Sequence, residues 1–168
     1  MSTDILFINS WSAEFPYIPM GTFGLCDYLD QHNIRSRIIN LSLYPREEAN
    51  SRLISQVTKV QPKYIGLILH WKELLNSSIQ TGSLLHEHFP DTPIIMGGLT
   101  ASYYSTELMT NLKFVDYIIK GDSDIPLLHL LDGTLHPEMI ENIVYRQNGS
   151  VIHSQKQFLA DNNLLNSI

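Results

Sequence analysis

The sequence predicts an α/β fold in which a parallel sheet is covered by helices on both faces. Short aliphatic runs alternate with longer segments of helical spacing through the first 131 residues, and this alternation is typical of βαβ units. The runs are almost continuously apolar, as expected of strands that are buried on both faces. With 168 residues, 43% of them hydrophobic, the chain is long enough to bury a core of its own.

Five strands are predicted, each from a short run rich in branched aliphatic side chains. Their ranges are Ile5–Ile8, Ser36–Leu41, Tyr64–Leu69, Pro93–Met96 and Val115–Ile119. Five helices follow the strands in turn, because apolar residues in the intervening segments recur three or four positions apart. Their ranges are Met20–His32, Arg46–Val60, Lys72–Phe89, Ser105–Leu112 and Asp124–Leu131. Right-handed crossovers then give three layers, with a doubly wound sheet of flavodoxin-like strand order 2-1-3-4-5.

The helices differ in how sharply their ends are marked. The second has a polar surface with Leu53 and Val57 on its apolar stripe. The third is the best defined, because the segment Pro90–Pro93 stops it before the fourth strand. The last begins at Asp124 with Pro126 in its first turn, a position where proline is well tolerated. These signals separate the helices from the candidate ligand-binding loops.

The pattern changes after residue 133. Asn142–Arg146 and Val151–Ser154 have β-like composition and flank Gln147–Ser150, whose Asn-Gly pair favours a tight hairpin. The stretch from Gln155 to Ile168 has no apolar periodicity of its own. We therefore expect residues 1–135 to form the α/β domain, and residues 136–168 to form a hairpin and a linker towards a further domain.

Composition argues against several classes of protein. The chain contains 11 Lys and Arg residues and 17 Asp and Glu residues, which gives a net charge of −6. This negative charge disfavours nucleic acid as a partner. The apolar runs are of strand length and the amino terminus lacks the basic start of a signal peptide, so we expect a cytoplasmic protein with no membrane partner. Cys26 is the single cysteine, and the spacings typical of zinc or iron–sulfur sites are absent, so no metal site is predicted.

Ligands of doubly wound sheets bind at the carboxyl ends of the strands, so the loops leaving those ends form the candidate site. The first loop, Ser10–Pro19, is rich in aromatic residues, which fits either packing against the rest of the chain or a broad hydrophobic ligand site. The third begins at His70 and Trp71, directly after the central strand. A structural histidine and a core tryptophan are the alternatives to ligand contact there. Ser77 lies in the opening of the helix that comes next.

Glycines mark the fourth and fifth loops. Gly97 and Gly98 open the segment Gly97–Ser102, and paired glycines allow positive φ and bring backbone N–H groups close to a ligand such as a phosphate or a nucleotide-like tail. A tight turn is the simpler alternative. The fifth loop, Gly121–Asp124, joins a glycine to polar acceptors, and its alternative interpretation is a helix N-cap.

Three common activities of such sheets are disfavoured by the residues at the strand ends. A dinucleotide-binding fold would have a glycine cluster after the first strand, where this chain has Asn9–Ala13. A phosphoacceptor domain would end the third strand in an aspartate, where this chain has Leu69 and then His70. A cysteine nucleophile is also disfavoured, because Cys26 falls within a predicted helix.

Together these segments resemble the N-terminal cobalamin-binding domain of cobalamin-dependent radical S-adenosylmethionine enzymes. The resemblance covers nearly the whole chain, and it rests on Ile5–Asn9, Pro19–Gly21, Gly24–Leu29, Ile34, Tyr64–Leu67, Pro93–Gly98, Val115–Asp124 and the hairpin Ile143–His153. Its most specific element is Gly121–Asp124, which in that family is typically Gly-Glu-Gly-Glu after an Asp-aromatic-aliphatic strand.

The resemblance implies that the third, fourth and fifth loops enclose the corrin and the dimethylbenzimidazole nucleotide tail of cobalamin. Gly97 and Gly98 would flank the tail, residues 121–123 would line its far side, and residues 17–21 would border the ring. The residues thus assigned to the cofactor are Tyr17, Pro19, Gly21, His70, Trp71, Ser77, Gly97, Gly98, Leu99, Thr100, Gly121, Asp122 and Ser123.

Two departures from related patterns refine this expectation. The first loop lacks the Asp-x-His-x-x-Gly motif whose histidine ligates cobalt in other cobalamin domains, so we hypothesise that Trp71 or His70 covers the lower face of the corrin. The CxxxCxxC motif of radical S-adenosylmethionine enzymes is absent. S-adenosylmethionine and a 4Fe-4S cluster would therefore belong to a radical domain in cis, whose activity would be methyl transfer or a radical rearrangement, and this chain by itself would not be catalytic.

A second class of function stays open at this point. A flavodoxin-like domain could bind a nucleotide or a flavin, or act only as a docking scaffold, and each glycine loop would then be a plain turn. The spectrum of a bound ligand would separate a corrin from a flavin.

Overall fold

The computed structural model of the chain describes residues 3–13 and 19–161. Within them the strands are β1 (Ile5–Asn9), β2 (Ser36–Asn40), β3 (Tyr64–Ile68), β4 (Ile94–Gly97), β5 (Tyr117–Ile119), β6 (Ile143–Gln147) and β7 (Ser150–His153). The α-helices are α1 (Met20–Gln31), α2 (Arg46–Val60), α3 (Leu75–His88), α4 (Leu99–Tyr103), α5 (Ser105–Asn111) and α6 (Asp124–Asp132). Short 3₁₀ turns cover Leu41–Leu43, Lys72–Leu74 and Pro137–Met139.

The first five strands are parallel and lie in the order 2-1-3-4-5, so the predicted α/β class and central strand order are confirmed. The strand count is a correction, because the described part of the chain forms one sheet of seven strands. The hairpin extends that sheet: β6 pairs antiparallel with β5, placing Val144 opposite Ile118. The outer edge of β5 would otherwise present unpaired backbone groups, and β6 supplies their partners.

Each face of the sheet has its own core. On one face α2, α3 and α5 bury residues such as Leu53, Leu85 and Met109 against the strands. On the other face α1 and α6 contribute Leu29 and Leu127. Of the helices described, more therefore lie on the first face than on the second. The second face is covered less completely, and the candidate site lies there.

The helix α4 was not predicted, since the sequence suggested a loop directly after β4. Its start is set by Gly98, whose φ of +108° places the backbone so close to the end of β3 that a Cβ would lie 2.7 Å from the Leu69 carbonyl oxygen. The chain is then held there, because the Ala101 N–H donates to the same oxygen at 3.2 Å and the Thr100 N–H donates to the His70 carbonyl at 3.3 Å. A side chain at residue 98 would prevent this approach.

No helix in the described residues combines the length and the apolar character needed to cross a membrane.

Candidate ligand-binding cavity

The candidate site is a cavity of about 560 Å³ over the middle of the sheet, on the face that carries α1 and α6. The amino-terminal parts of α1 and α6 form its walls, and it opens at the carboxyl ends of β3 and β4. Two helices on this face leave β3 uncovered between them. The cavity therefore results from the winding of the fold, at the point where the chain reverses direction across the sheet.

The floor of the cavity is apolar, and Gly66 in β3 shapes it. A Cβ on Gly66 would lie 2.5 Å from the Phe7 ring, so only glycine lets that ring lie against the strand. Other floor residues include Ile68, Ile95 and Ile119. This lining suits a flat apolar group rather than a charged one.

Glycines form part of the rim. Among the described residues, a Cβ built on Gly21 or Gly121 would meet no atom within 4 Å, and one on Gly97 would meet only the Ile119 carbonyl oxygen at 3.9 Å. All three residues line the cavity. Their backbone is thus open to close approach by a ligand, and side chains at these positions would narrow the space.

The acidic side chains among the described lining residues are Asp122 and Asp124. Burial raises the pKa of the Asp124 carboxyl, and the neighbouring Asp122 charge adds to the rise. Asp122 is already engaged, since its Oδ2 accepts a hydrogen bond from the Ala160 N–H at 2.9 Å. Among the described lining residues there is no Lys or Arg, so the cavity favours a neutral or cationic ligand over a phosphate dianion.

His70 and Trp71 lie together at the mouth. Their rings meet edge to face, with centroids 4.8 Å apart and planes at 82°, and the Trp71 side chain is 51% exposed. The backbone beneath them is fixed by Thr100, whose hydroxyl donates to the His70 carbonyl at 2.9 Å. Both rings are therefore presented to a ligand that covers the mouth.

Most of the residues assigned to the cofactor from sequence come together here. The lining includes Pro19, Gly21, His70, Trp71, Gly97, Gly98, Gly121, Asp122 and Ser123.

Three assigned residues lie elsewhere. Ser77 lies in α3, which packs on the other face of the sheet, and its hydroxyl donates to the Trp11 carbonyl at 2.6 Å. Thr100 supports the backbone of His70. Leu99 is exposed at the start of α4 and is not among the described lining residues. The remaining assigned residue, Tyr17, falls outside the described residues.

Sequence interpretation did not assign several lining residues, among them Gly66, Thr22 and Asp124. A usable signal existed for Gly66, because a glycine inside a strand often marks close approach of another group. Asp124 was interpreted as a helix-capping candidate. Thr22 gave no signal, since its place in the wall depends on how α1 lies across the sheet.

No protein-family model and no curated protein matches the chain. Solved structures do resemble it. One is the radical S-adenosylmethionine methyltransferase TsrM from Kitasatospora setae with cobalamin and a 4Fe-4S cluster bound, with a TM-score of 0.83 and 15% identity over 98% of this chain. Another is the cobalamin-dependent S-adenosylmethionine radical enzyme OxsB with aqua-cobalamin and S-adenosylmethionine bound, with a TM-score of 0.75 and 17% identity over 94% of this chain.

The chain spans 30% of the TsrM chain and 23% of the OxsB chain. At identities this low, the likeness shows a shared fold and leaves function to be argued from the site. The resemblance inferred from the sequence is confirmed at that level, because the solved structures that share this fold include cobalamin-dependent radical S-adenosylmethionine enzymes.

Proposed function

We propose that this chain is a cobalamin-binding module, in which the cavity over β3 receives the nucleotide tail and the corrin covers the mouth. The observation that carries the proposal is the glycine-rimmed apolar cavity at the carboxyl edge of the sheet. Its position in the fold and the cobalamin bound to TsrM and OxsB support the same ligand class.

The residues present fit this group. A cavity of about 560 Å³ falls within the range of roughly 300–1,000 Å³ common for small-molecule sites. It suits the benzimidazole nucleotide better than the much broader corrin. The apolar floor would bury the benzimidazole ring, and the open backbone at Gly21, Gly97 and Gly121 would let the tail lie close to the protein.

The chain's own residues would bind, orient and shield the cofactor. When bound, cobalamin would supply a cobalt centre that can carry a methyl group. His70 and Trp71 would border the corrin, and one of them would cover its lower face and exclude water. Residues 121–123 would close the far side of the tail. No side chain of this chain is assigned a proton-transfer role.

The proposal extends to a partner in cis. Residues 1–135 would form the cobalamin domain, and residues 136–168 would lead towards a radical domain that binds S-adenosylmethionine and a 4Fe-4S cluster. The large apolar side chains of Met20 and Trp71, which line the cavity, are each at least half exposed, and exposed apolar side chains beside a cavity are typical of a surface that another domain covers. Methyl transfer or a radical rearrangement would then take place in the whole protein, in the cytoplasm.

A flavin mononucleotide or another nucleotide is the competing ligand class. Its terminal phosphate would carry up to two negative charges, whereas the described lining offers two aspartates and no basic side chain. Cobalamin carries its phosphate as a singly charged diester. The charge of the cavity therefore favours cobalamin.

Titration of the 168-residue chain with hydroxocobalamin, followed by absorbance and calorimetry, tests the proposal, with flavin mononucleotide as the comparison ligand. We expect saturable one-to-one binding of hydroxocobalamin and none of the flavin. Gly21→Leu should abolish binding by filling the cavity, whereas Ser51→Leu, on the exposed surface of α2, should bind as the wild type does. Flavin binding, or equal hydroxocobalamin binding by both variants, would contradict the proposal.

A separate experiment tests whether His70 or Trp71 covers the lower face of the corrin. Cob(II)alamin bound to the wild type, to His70→Ala and to Trp71→Phe would be compared by electron paramagnetic resonance. Ligation by His70 predicts a nitrogen splitting that the alanine variant loses, whereas cover by Trp71 predicts a spectrum without that splitting which changes in the phenylalanine variant. Identical spectra from all three proteins would show that neither side chain covers the corrin.

A further inference from the structure

The segment after β7 folds back across the start of β6 towards the loop that lines the cavity. We call residues 155–161 the strap and residues 120–124 the cavity loop. Between them lies Asn142, which is only 9% exposed and has a φ of +55°. Its position at the end of a turn places its side-chain amide against both segments.

Asn142 hydrogen-bonds to both segments at once. Its Nδ2 donates to the carbonyl of Asp122 at 3.1 Å and to the carbonyl of Phe158 at 2.8 Å, while its Oδ1 accepts from the Phe158 N–H at 3.0 Å. Its backbone completes the link, since its N–H donates to the Lys156 carbonyl at 3.1 Å and its carbonyl accepts from the Lys120 N–H at 2.9 Å. Every polar group of this residue therefore has a partner in the strap or in the cavity loop.

A second link joins the strap to the cavity directly. The Ala160 N–H donates to Asp122 Oδ2 at 2.9 Å, and Asp122 lines the cavity. Asp122 is thus held twice, through its carboxylate by the strap and through its carbonyl by Asn142. If the Asn142 amide is removed, several backbone groups lose their partners together.

We propose that Asn142 is a positioning residue that couples the cavity loop to the strap, so that a ligand in the cavity fixes the course of the strap. The inference rests on the proposed function for the identity of the ligand. Because coupling between two sites is reciprocal, a fixed strap must strengthen ligand binding by the same factor by which the ligand stabilises the strap.

The residue type offers a clean test. Asn142→Gly keeps the backbone conformation, because glycine adopts a positive φ without strain, and removes only the side-chain amide. Asn148→Gly is the matched control, since Asn148 has a φ of +52° in the exposed turn between β6 and β7. The same substitution is then made at nearly the same backbone conformation, away from the cavity.

Amide hydrogen exchange of the 168-residue chain, with and without hydroxocobalamin, measures the coupling. In the wild type, we expect ligand binding to slow exchange at Phe158 and Ala160 about fivefold or more, within the usual range of coupling between sites. Asn142→Gly should speed exchange at those amides and at Lys120 in the absence of ligand, and should weaken hydroxocobalamin binding by the factor seen in the exchange experiment. Asn148→Gly should do neither.

The outcomes separate this inference from the proposed function. If the wild type does not bind hydroxocobalamin, the proposed function is wrong, and so is the predicted effect of the ligand on the strap. Hydrogen exchange in unliganded Asn142→Gly still decides whether the strap and the cavity loop move together. If Asn142→Gly frees the strap and binds hydroxocobalamin as the wild type does, the coupling is wrong and the proposed function stands. Should Asn142→Gly fail to fold, Ala160→Pro removes the second link from outside the cavity, and unchanged affinity in that variant would equally overturn the coupling.

Discussion

Gly66 and Gly21 line the same cavity, yet they differ in what a side chain at each position would meet. Gly66 is required because the Phe7 ring occupies the space of a side chain, whereas a Cβ on Gly21 would meet no atom of the described residues within 4 Å. Glycine in a helix costs roughly 0.5–1 kcal/mol relative to alanine. Its presence at residue 21, near the start of α1, is therefore unexplained by folding and fits a role in binding.

Alanine at each position should separate the two roles. Gly66→Ala should lower the free energy of unfolding by about 1–3 kcal/mol, because the new methyl group overlaps the Phe7 ring. Gly21→Ala should leave it unchanged or raise it by up to about 1 kcal/mol. Urea unfolding followed by circular dichroism gives both values. Equal losses of stability in both variants would show that Gly21 also lies against packed atoms.

Asp124 gives the site a pH dependence. The N-terminus of α6 favours a charged carboxylate, so the raised pKa means that burial outweighs the helix. Between the ordinary pKa of an aspartate and the raised value, the folded chain binds more protons than the unfolded chain. The contribution of this group to stability therefore falls as pH rises through that interval.

Asp124→Asn removes this titration. Because the wild type loses this contribution as pH rises, the stability of the variant relative to the wild type should increase from pH 4 to pH 7. Urea unfolding at the two pH values measures the difference. Asp27→Asn, on the exposed side of α1, makes the same substitution away from the cavity and is the control. A relative stability of Asp124→Asn that is independent of pH would contradict the assignment.

Among the elements, Arg146 attaches the hairpin to the domain in addition to strand pairing and to the hydrogen bond between His153 Nε2 and the Thr106 hydroxyl at 3.0 Å. Arg146 in β6 donates from both terminal nitrogens to the Val115 carbonyl at 2.7 Å, and from Nη2 to the Leu112 carbonyl at 2.9 Å. Leu112 comes directly after α5. The Leu112 carbonyl also accepts from the Val115 N–H at 3.2 Å, so Arg146 adds a second partner there and joins β6 to the segment that follows α5.

Arg146→Lys should lower the free energy of unfolding by about 1–3 kcal/mol, because a single ammonium cannot satisfy both carbonyls in the same geometry. Arg37→Lys, at an exposed position on the edge strand β2, provides the same substitution without that role. Denaturant unfolding of the two variants should differ by at least about 1 kcal/mol. Equal midpoints would show that the hydrogen bonds of Arg146 to the two carbonyls add no stability.

At the scale of the whole molecule, the cavity results from how helices are distributed over the sheet. With α1 and α6 on one face and the other long helices opposite, β3 is left uncovered where the carboxyl ends converge. A ligand there contacts both walls and the floor at once. It should therefore stabilise the fold as a unit rather than order one loop.

This predicts a stability effect of defined size. Free hydroxocobalamin at one hundred times its dissociation constant should raise the free energy of unfolding by about 2.7 kcal/mol, as mass action requires of a ligand that binds only the folded state. Thermal or urea unfolding at several ligand concentrations measures it. Gly21→Leu should show no such rise. A rise of the same size in that variant would place the ligand outside the cavity.

The alternation of strands and helices and the central strand order could be predicted from the amino-acid sequence, and nine residues assigned from it line the cavity. These predictions were possible because aliphatic runs, helical spacing and glycines after strands are local signals, and parallel strands bring their carboxyl ends to one edge. The three-dimensional structure was needed to show that the hairpin joins the sheet, that Gly66 lies in the floor, and that Ser77 and Thr100 bond to the backbone instead. Those outcomes depend on contacts between residues distant in sequence, and neither periodicity nor local spacing records them.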